Sequence, residues 1–376
     1  MLSPEVRVGE ALKDELRRRL LARSQDPAAD LRARINAGLI LGDLGDPRFP
    51  RRQGREREYI LPPLVTIPAG NHIIGSEEGG PEERPVHEVE LPAFQIGQYP
   101  VTNAEWQCFM EAGGYEDERW WDTAQARLWW EGKLGNTEAM DWWRELRAKL
   151  RKDFKATVAQ YPHWTEHFKN QMRGLVTWPE RAFEEWLARR YGARRHCWPG
   201  EWSNPRFNRL SQPVVGVCWF EAQAYCRWLA HESGLPLRLP GEVEWEAAAR
   251  GSAARRYPWG DTFDAERANT DEAHLRRTSP VGVFPRGGTP GEMPLHDLAG
   301  NVWEWTASRY RDYPIELGDD RGNLTAENPC VSRGGGWVGS AVGARVAVRG
   351  FNHPDFRGDG FGLRVLCSPP SSFTDP

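Results

Sequence analysis

The segment from His296 to Thr306 reads HDLAGNVWEWT. Asp297, Gly300, Val302 and Glu304 alternate along it. In a tight turn, two carboxylates and two backbone carbonyls so spaced can converge on one hard cation, and calcium takes such an all-oxygen set. The competing expectation is that Asp297 and Glu304 pair with arginines and cap backbone amides. His163, Glu166 and His167 form HWTEH. On a helix that spacing puts two imidazoles on one face, ready for zinc. No third ligand can be named, so a solvated helix face is the expected reading. The six cysteines (Cys108, Cys197, Cys218, Cys226, Cys330, Cys367) are scattered without C-x-x-C spacing, which points to free thiols. No phosphate-binding loop of the Walker type and no G-x-S-x-G is present.

The C-terminal stretch VSRGGGWVGSAVGARVAVRGFNHPDFRGDGFGLRVLC carries a different pattern. Arg333, Gly334, Gly335, Trp337, Arg345, Arg349, Pro354, Asp355, Arg357 and Arg364 stand as anchors, separated by small or unrelated residues. Arginines so dense in a strand-and-turn region must find carboxylates, because an unpaired buried charge is costly. Asp355 and acidic residues upstream are the expected partners.

These residues need elements to hold them. Residues 1–57 read as a helical N-terminal segment. Leu12, Leu16 and Leu20 recur every four residues, and a second helix runs through LRARINAGLILGDLGDP until Gly42 and Pro47 stop it. RRQGREREY then reads as a linker. From Tyr59 the runs are short and β-branched, broken by Pro and Gly. Thr102 or Asn103 caps a helix through Glu105, Trp106 and Phe109. Residues 113–205 form an insertion with eleven of the nineteen tryptophans. Its adjacent Trp pairs (Trp120 and Trp121, Trp129 and Trp130, Trp142 and Trp143) should each bury one member and leave the other at a rim. PVVGVCWFEAQAYCRWLAHESG reads as a short strand feeding an amphipathic helix ended by Gly234. GEVEWEAAARG reads as a helix between Pro240 and Gly251.

The 376 residues carry 27% charged and 39% hydrophobic residues and a formal net charge of −4. That charge lacks the basic surplus of a nucleic-acid binder. No apolar run approaches the roughly 18 residues of a membrane span, and the N-terminus has no apolar signal core. A cytoplasmic protein with neither nucleic acid nor membrane as partner is expected.

The motifs FQIGQYPVTNAEW, PVVGVCWFEAQAYCRWL, GLPLRLPGEVEWEAAARG, YPWGD, HDLAGNVWEWT, SRGGGW and GFGLRV, in this order, resemble the formylglycine-generating-enzyme group of C-type lectin folds. The resemblance covers about residues 58–112 and 205–367. It implies an α+β, loop-rich fold with short antiparallel strands and two main helices, so that residues 58–376 form one domain around the insertion. It also implies structural calcium on the strip of Asp297, Gly300, Val302 and Glu304, and a second site near Asn269 and Thr270. The family's enzymes oxidise a substrate cysteine with a cysteine pair placed just after the RGGSW-like motif. Here Val338 to Val348 contains no Cys, which puts that chemistry in doubt. Related sulfoxide synthases use iron held by His and Glu on an N-terminal helical bundle, and residues 1–57 contain no His. Neither a catalytic residue nor a redox cofactor is therefore expected.

Within the group, the C-terminal stretch resembles the variable proteins of diversity-generating retroelements, whose cassettes follow a frame like RGGSWxxxxxxARxAxRxxxxPDxRxxxxGFR. In those proteins adenine mutagenesis turns AAY codons into codons for many residues, never Lys, Glu, Gln, Met or Trp. The region matched is about 333–367. Val338, Gly339, Ser340, Val342, Gly343, Val346, Val348, Gly350, Phe351, Asn352, His353, Phe356, Gly358, Asp359 and Gly360 fill the gaps, and none of the five excluded types occurs from Val338 to Cys367. The resemblance implies a non-catalytic scaffold that binds a protein or other macromolecular ligand, with exposed gaps and a constant frame. Phe351, His353 and Phe356 are the expected contacts. Two alternatives belong to other classes: an orphan metalloenzyme of the formylglycine or sulfoxide-synthase kind, and an adaptor. For the adaptor, NAGLILGDLGDPRF resembles the tail of signalling ATPases that carry this domain, which implies a signalling partner chain.

Overall fold

The computed structural model describes residues 9–161, 164–315 and 329–368, apart from the side chain of His167. Two helices open it, α1 (Glu10–Ser24) and α2 (Leu31–Leu44). Asp30 caps α2 by accepting from the amides of Arg32 and Ala33. The packing face of α2 runs through Ile35, Gly38, Leu41 and Gly42. A Cβ on Gly38 would lie 2.8 Å from the Pro280 side chain, so the helix sits flush on the body. The leucine stripe of α1 behaves otherwise: Leu12 and Leu16 remain exposed.

The expected linker is a hairpin. Strand β1 (Arg51–Gln53) pairs antiparallel with β2 (Glu58–Ile60). Glu232 takes the amides of Glu56 and Arg57 at the turn, which explains how so charged a segment becomes ordered. There follow β3 (Leu64–Ile67), β4 (Gly70–Ile74), β5 (His87–Leu91), β6 (Phe94–Gly97) and α3 (Asn103–Glu111). Thr102 caps α3 in a reciprocal box with Glu105.

The insertion is built on five helices, α4 (Ala124–Trp130), α5 (Thr137–Lys152), α6 (Phe154–Ala159), α7 (Glu166–Thr177) and α8 (Glu180–Tyr191), with turns and loop on either side. It has its own core of Leu146, Leu150, Met172, Leu175, Phe183, Leu187 and Tyr191. One expected Trp pattern fails: Trp120 and Trp121 are both buried, because the chain leaves a short 3-10 turn between them.

The body resumes with α9 (Trp219–Ser233), β7 (Leu237–Arg238), α10 (Glu242–Arg250), β8 (Trp303–Arg309), β9 (Cys330–Arg333), β10 (Gly350–Asn352), β11 (Phe361–Leu363) and β12 (Leu366–Cys367). Gly234 ends α9 in the left-handed conformation, φ 72°. The strand expected before α9 reduces to a single bridge from Pro213 to Thr102. One sheet runs β10-β9-β8-β11 and another β3-β6-β12-β7. Their pairings are antiparallel except β11 beside β8. The main core lies between α3 and α9, where Trp106 stacks on Tyr225 and Phe109 meets Trp228 at a tilt of 57°. Among the described residues no helix is long and apolar enough to cross a membrane.

Candidate binding surface

The anchor arginines of the C-terminal segment are all buried, and each meets a glutamate. Arg333 donates to Glu246 at 2.8 Å and to the Tyr313 hydroxyl at 2.7 Å. Arg345 grips both oxygens of Glu83 at 2.8 and 2.7 Å, and Arg349 both oxygens of Glu242 at 2.9 and 3.0 Å. Arg357 does the same with Glu221 at 2.9 and 2.8 Å. Arg364 closes the series on Glu304 at 3.0 and 2.8 Å. Burial works against the charge of Arg345 and Arg357, and the facing carboxylates more than offset it, so both pKa values rise. Helix α10 presents Glu242 and Glu246 one turn apart, α9 presents Glu221 and β8 presents Glu304. Two helices, a central strand and the 3-10 turn Pro81–Glu83 thus hold the frame. Asp355 is not an arginine partner: its Oδ1 accepts from Asn136 of the insertion at 2.9 Å.

The gaps divide. Val342 and Phe351 are exposed, and Val338, Gly339, Ser340, Gly343, Val348, Gly350, Asn352, His353, Phe356 and Asp359 are half-buried. Val346, Gly358 and Gly360 do not belong to the surface. Val346 is buried in the core cluster that also holds Trp245 and Leu298, and a Cβ on Gly358 would come within 2.7 Å of Phe361. Gly360 is buried, and its carbonyl accepts from the Trp303 amide.

The three expected contacts, Phe351, His353 and Phe356, come together. They line a cavity of about 580 Å³ whose opposite wall is α5, with Glu138, Trp142 and Trp143. Tyr191 and Asn352 complete it on either side. The insertion side was hidden in the sequence, although the Trp142–Trp143 pair was visible as a pair.

The metal expectations fare unevenly. Glu304 gives both oxygens to Arg364 and one also to the Trp245 indole at 2.6 Å. A guanidinium thus stands where calcium would draw on Glu304. The half-buried Asp297 accepts from the Gly282 amide at 2.7 Å, and desolvation pushes its carboxyl up to about 6. The Gly300 carbonyl accepts from the Val302 amide. This is the pairing and capping alternative, and these four residues do not fit a calcium cage. Asn269 and Thr270 fit better: Asn269 Oδ1 and Thr270 Oγ1 are buried with no hydrogen-bond partner among the described residues. Free neutral oxygens suit a hard cation.

The HWTEH expectation falls largely outside the described residues, which include neither His163 nor the side chain of His167. Helix α7 begins at Glu166, with Thr165 as its cap. Glu56, His231 and Glu232 also gather within metal-ligand reach. Glu56 there is held by Arg119 and His231, and Glu232 by two backbone amides, so the cluster is explained without an ion. All of the six cysteines but Cys197 are buried. Burial pushes Cys108 up to about 11, Cys226 to about 12, and Cys218 and Cys330 well above the ordinary thiol value. That is the opposite of an activated thiolate.

Residues 50–369 match the family described as sulfatase-modifying factor enzyme 1-like domain, and the chain belongs to that family. It is 32% identical to the inactive C-alpha-formylglycine-generating enzyme 2 of Bos taurus, over 80% of this chain and 86% of that protein. It is 28% identical to the hercynine oxygenase of Mycolicibacterium smegmatis, over 88% of this chain but 66% of that protein. The relatives thus include enzymes and a protein named inactive. Among solved structures, PvdO from Pseudomonas aeruginosa aligns with a TM-score of 0.51 at 23% identity, over 82% of this chain and 95% of that one. That likeness concerns the fold.

Proposed function

We propose that this chain is a non-catalytic binding protein whose segment 333–367 is diversified by a retroelement to present a variable surface on a lectin-like scaffold. One observation carries the reading: the arginine anchors are buried in carboxylate pairs, whereas twelve of the fifteen gap positions reach solvent at least in part. Such a division lets the gaps change while the frame holds, since substitutions away from buried features usually cost within about 0.5 kcal/mol. The composition of the segment, free of Lys, Glu, Gln, Met and Trp from Val338 to Cys367, fits AAY mutagenesis. The buried, high-pKa thiols argue against thiolate chemistry at Cys218 and Cys330. The ligand is a protein or other macromolecule, with no nucleic acid or membrane, in a cytoplasmic setting. Structural calcium is proposed at Asn269 and Thr270 alone.

Sequencing the 3′ end of the gene across one population tests the reading. Variants confined to the gaps, with a nearby template repeat that differs only at adenines, are expected. An invariant gene with neither repeat nor neighbouring reverse transcriptase overturns it.

A further inference from the structure

The cavity beside the variable segment has two kinds of wall. One is built from gap residues Phe351, His353 and Phe356. The other belongs to α5, whose Glu138, Trp142 and Trp143 lie outside the segment. Trp and Glu are types that AAY mutagenesis does not produce, so this wall is constant.

Its geometry is specific. The rings of Trp142 and Trp143 meet edge to face at 5.0 Å and 83°, making a corner of two π-surfaces. Trp143 is fixed there by donating its indole N–H to the Tyr191 hydroxyl at 2.6 Å. Trp142 is 47% exposed and is open to a partner. Glu138 stands one helical turn before Trp142, on the same side of α5. A smaller cavity of about 240 Å³ continues the first, sharing Asn136, Glu138 and His353 and adding Asp355. The residues lining both cavities include two carboxylates and neither Lys nor Arg. The ring faces are themselves electronegative and attract cations. The same neighbourhood already shows the interaction: the Arg190 guanidinium lies 5.4 Å from the Phe356 ring centroid and 5.7 Å from that of Trp186.

From this we infer that α5 is the fixed half of the binding site, and that it takes an arginine side chain of a protein ligand. A planar guanidinium stacks on a ring face and presents a fork to a carboxylate, which an ammonium does not do. The aromatic corner and Glu138 set the class of ligand, and the variable wall sets which protein carries it. The inference rests on the ligand-binding reading above.

The test uses the full chain and two peptides, acetyl-Gly-Arg-Gly-amide and its citrulline counterpart, the neutral isostere. Binding is followed by the indole N–H resonances of Trp142 and Trp143. Saturable shifts are expected with the arginine peptide, and affinity about fivefold or more weaker with citrulline. Glu138→Gln should lose a similar factor, and Trp142→Ala should remove binding while the remaining indole resonances stay in place. Equal binding of the two peptides, unchanged binding by Glu138→Gln, or no shift at tens of millimolar peptide overturns the inference. Gene sequencing reads the retroelement proposal independently, so the two can fail separately.

Discussion

Replacing Arg345 by Ala separates frame from surface. Arg345 is 6% exposed and its partner Glu83 2%, and the two share paired hydrogen bonds of 2.8 and 2.7 Å. Removing the guanidinium leaves a buried carboxylate without its cation, which costs about 3–5 kcal/mol. At about 2.1 cal/mol/K per residue, unfolding a chain of 376 residues carries roughly 0.8 kcal/mol/K of entropy near Tm. The expected fall in Tm is therefore about 4–6 °C. Val342 lies three positions earlier and is 61% exposed, so Val342→Asn should move stability by less than about 0.5 kcal/mol. The double variant Arg345→Met/Glu83→Leu removes both charges together and should recover most of the loss. Urea denaturation followed by circular dichroism and by Trp fluorescence measures all three. Equal destabilisation by Val342→Asn and Arg345→Ala would refute the division into anchors and gaps. A double variant as unstable as the single one would refute the ion-pair account.

Glu105 is fully buried, and burial pushes its carboxyl from 4.5 up to about 8. The folded state then holds the proton more tightly than the unfolded one, so this contribution is full below about pH 4.5 and is lost as pH rises to about 8. Glu105→Gln should flatten that slope, by on the order of 5 kcal/mol between the two limits, in denaturation curves taken across pH. Thiol titration of the native protein should find Cys197 alone reacting quickly, and all six after unfolding; fast labelling that persists in Cys197→Ser would contradict the burial of the others. Calcium should raise Tm, chelator should reverse it, and Asn269→Ala should abolish the effect. A Tm insensitive to calcium removes that site.

Much of the frame was legible in the residues themselves. The Thr102 cap, Gly234 and the span of α10 follow from local chemistry, and the structure shows all three. The need of the arginines for carboxylates was equally readable, but not which ones: Arg345 finds Glu83 across 262 positions. Burial at Val346, Gly358 and Gly360 was not legible, because turns and 3-10 segments carry no alternation that tells inside from outside. RRQGREREY looked like a linker since its charges hid the hairpin that Glu232 closes. The cavity depends on α5 meeting the C-terminal segment, joined by Asn136 to Asp355, a contact across 219 positions that no motif announces.

Phe356 gives the site an uneven repertoire. Its ring packs on the main core beside Phe361 and also on the insertion core, 6.5 Å from Tyr191. A random residue there changes two bodies of packing together, whereas one at Val342 meets mostly water. In a population of sequences, position 356 should be enriched in Phe, Tyr, Leu and Ile relative to what the codon permits, and position 342 should follow the codon alone. If the segment is diversified as proposed, folding would act on its variants before any ligand does, and its imprint would be readable as a difference in residue frequencies between the two positions.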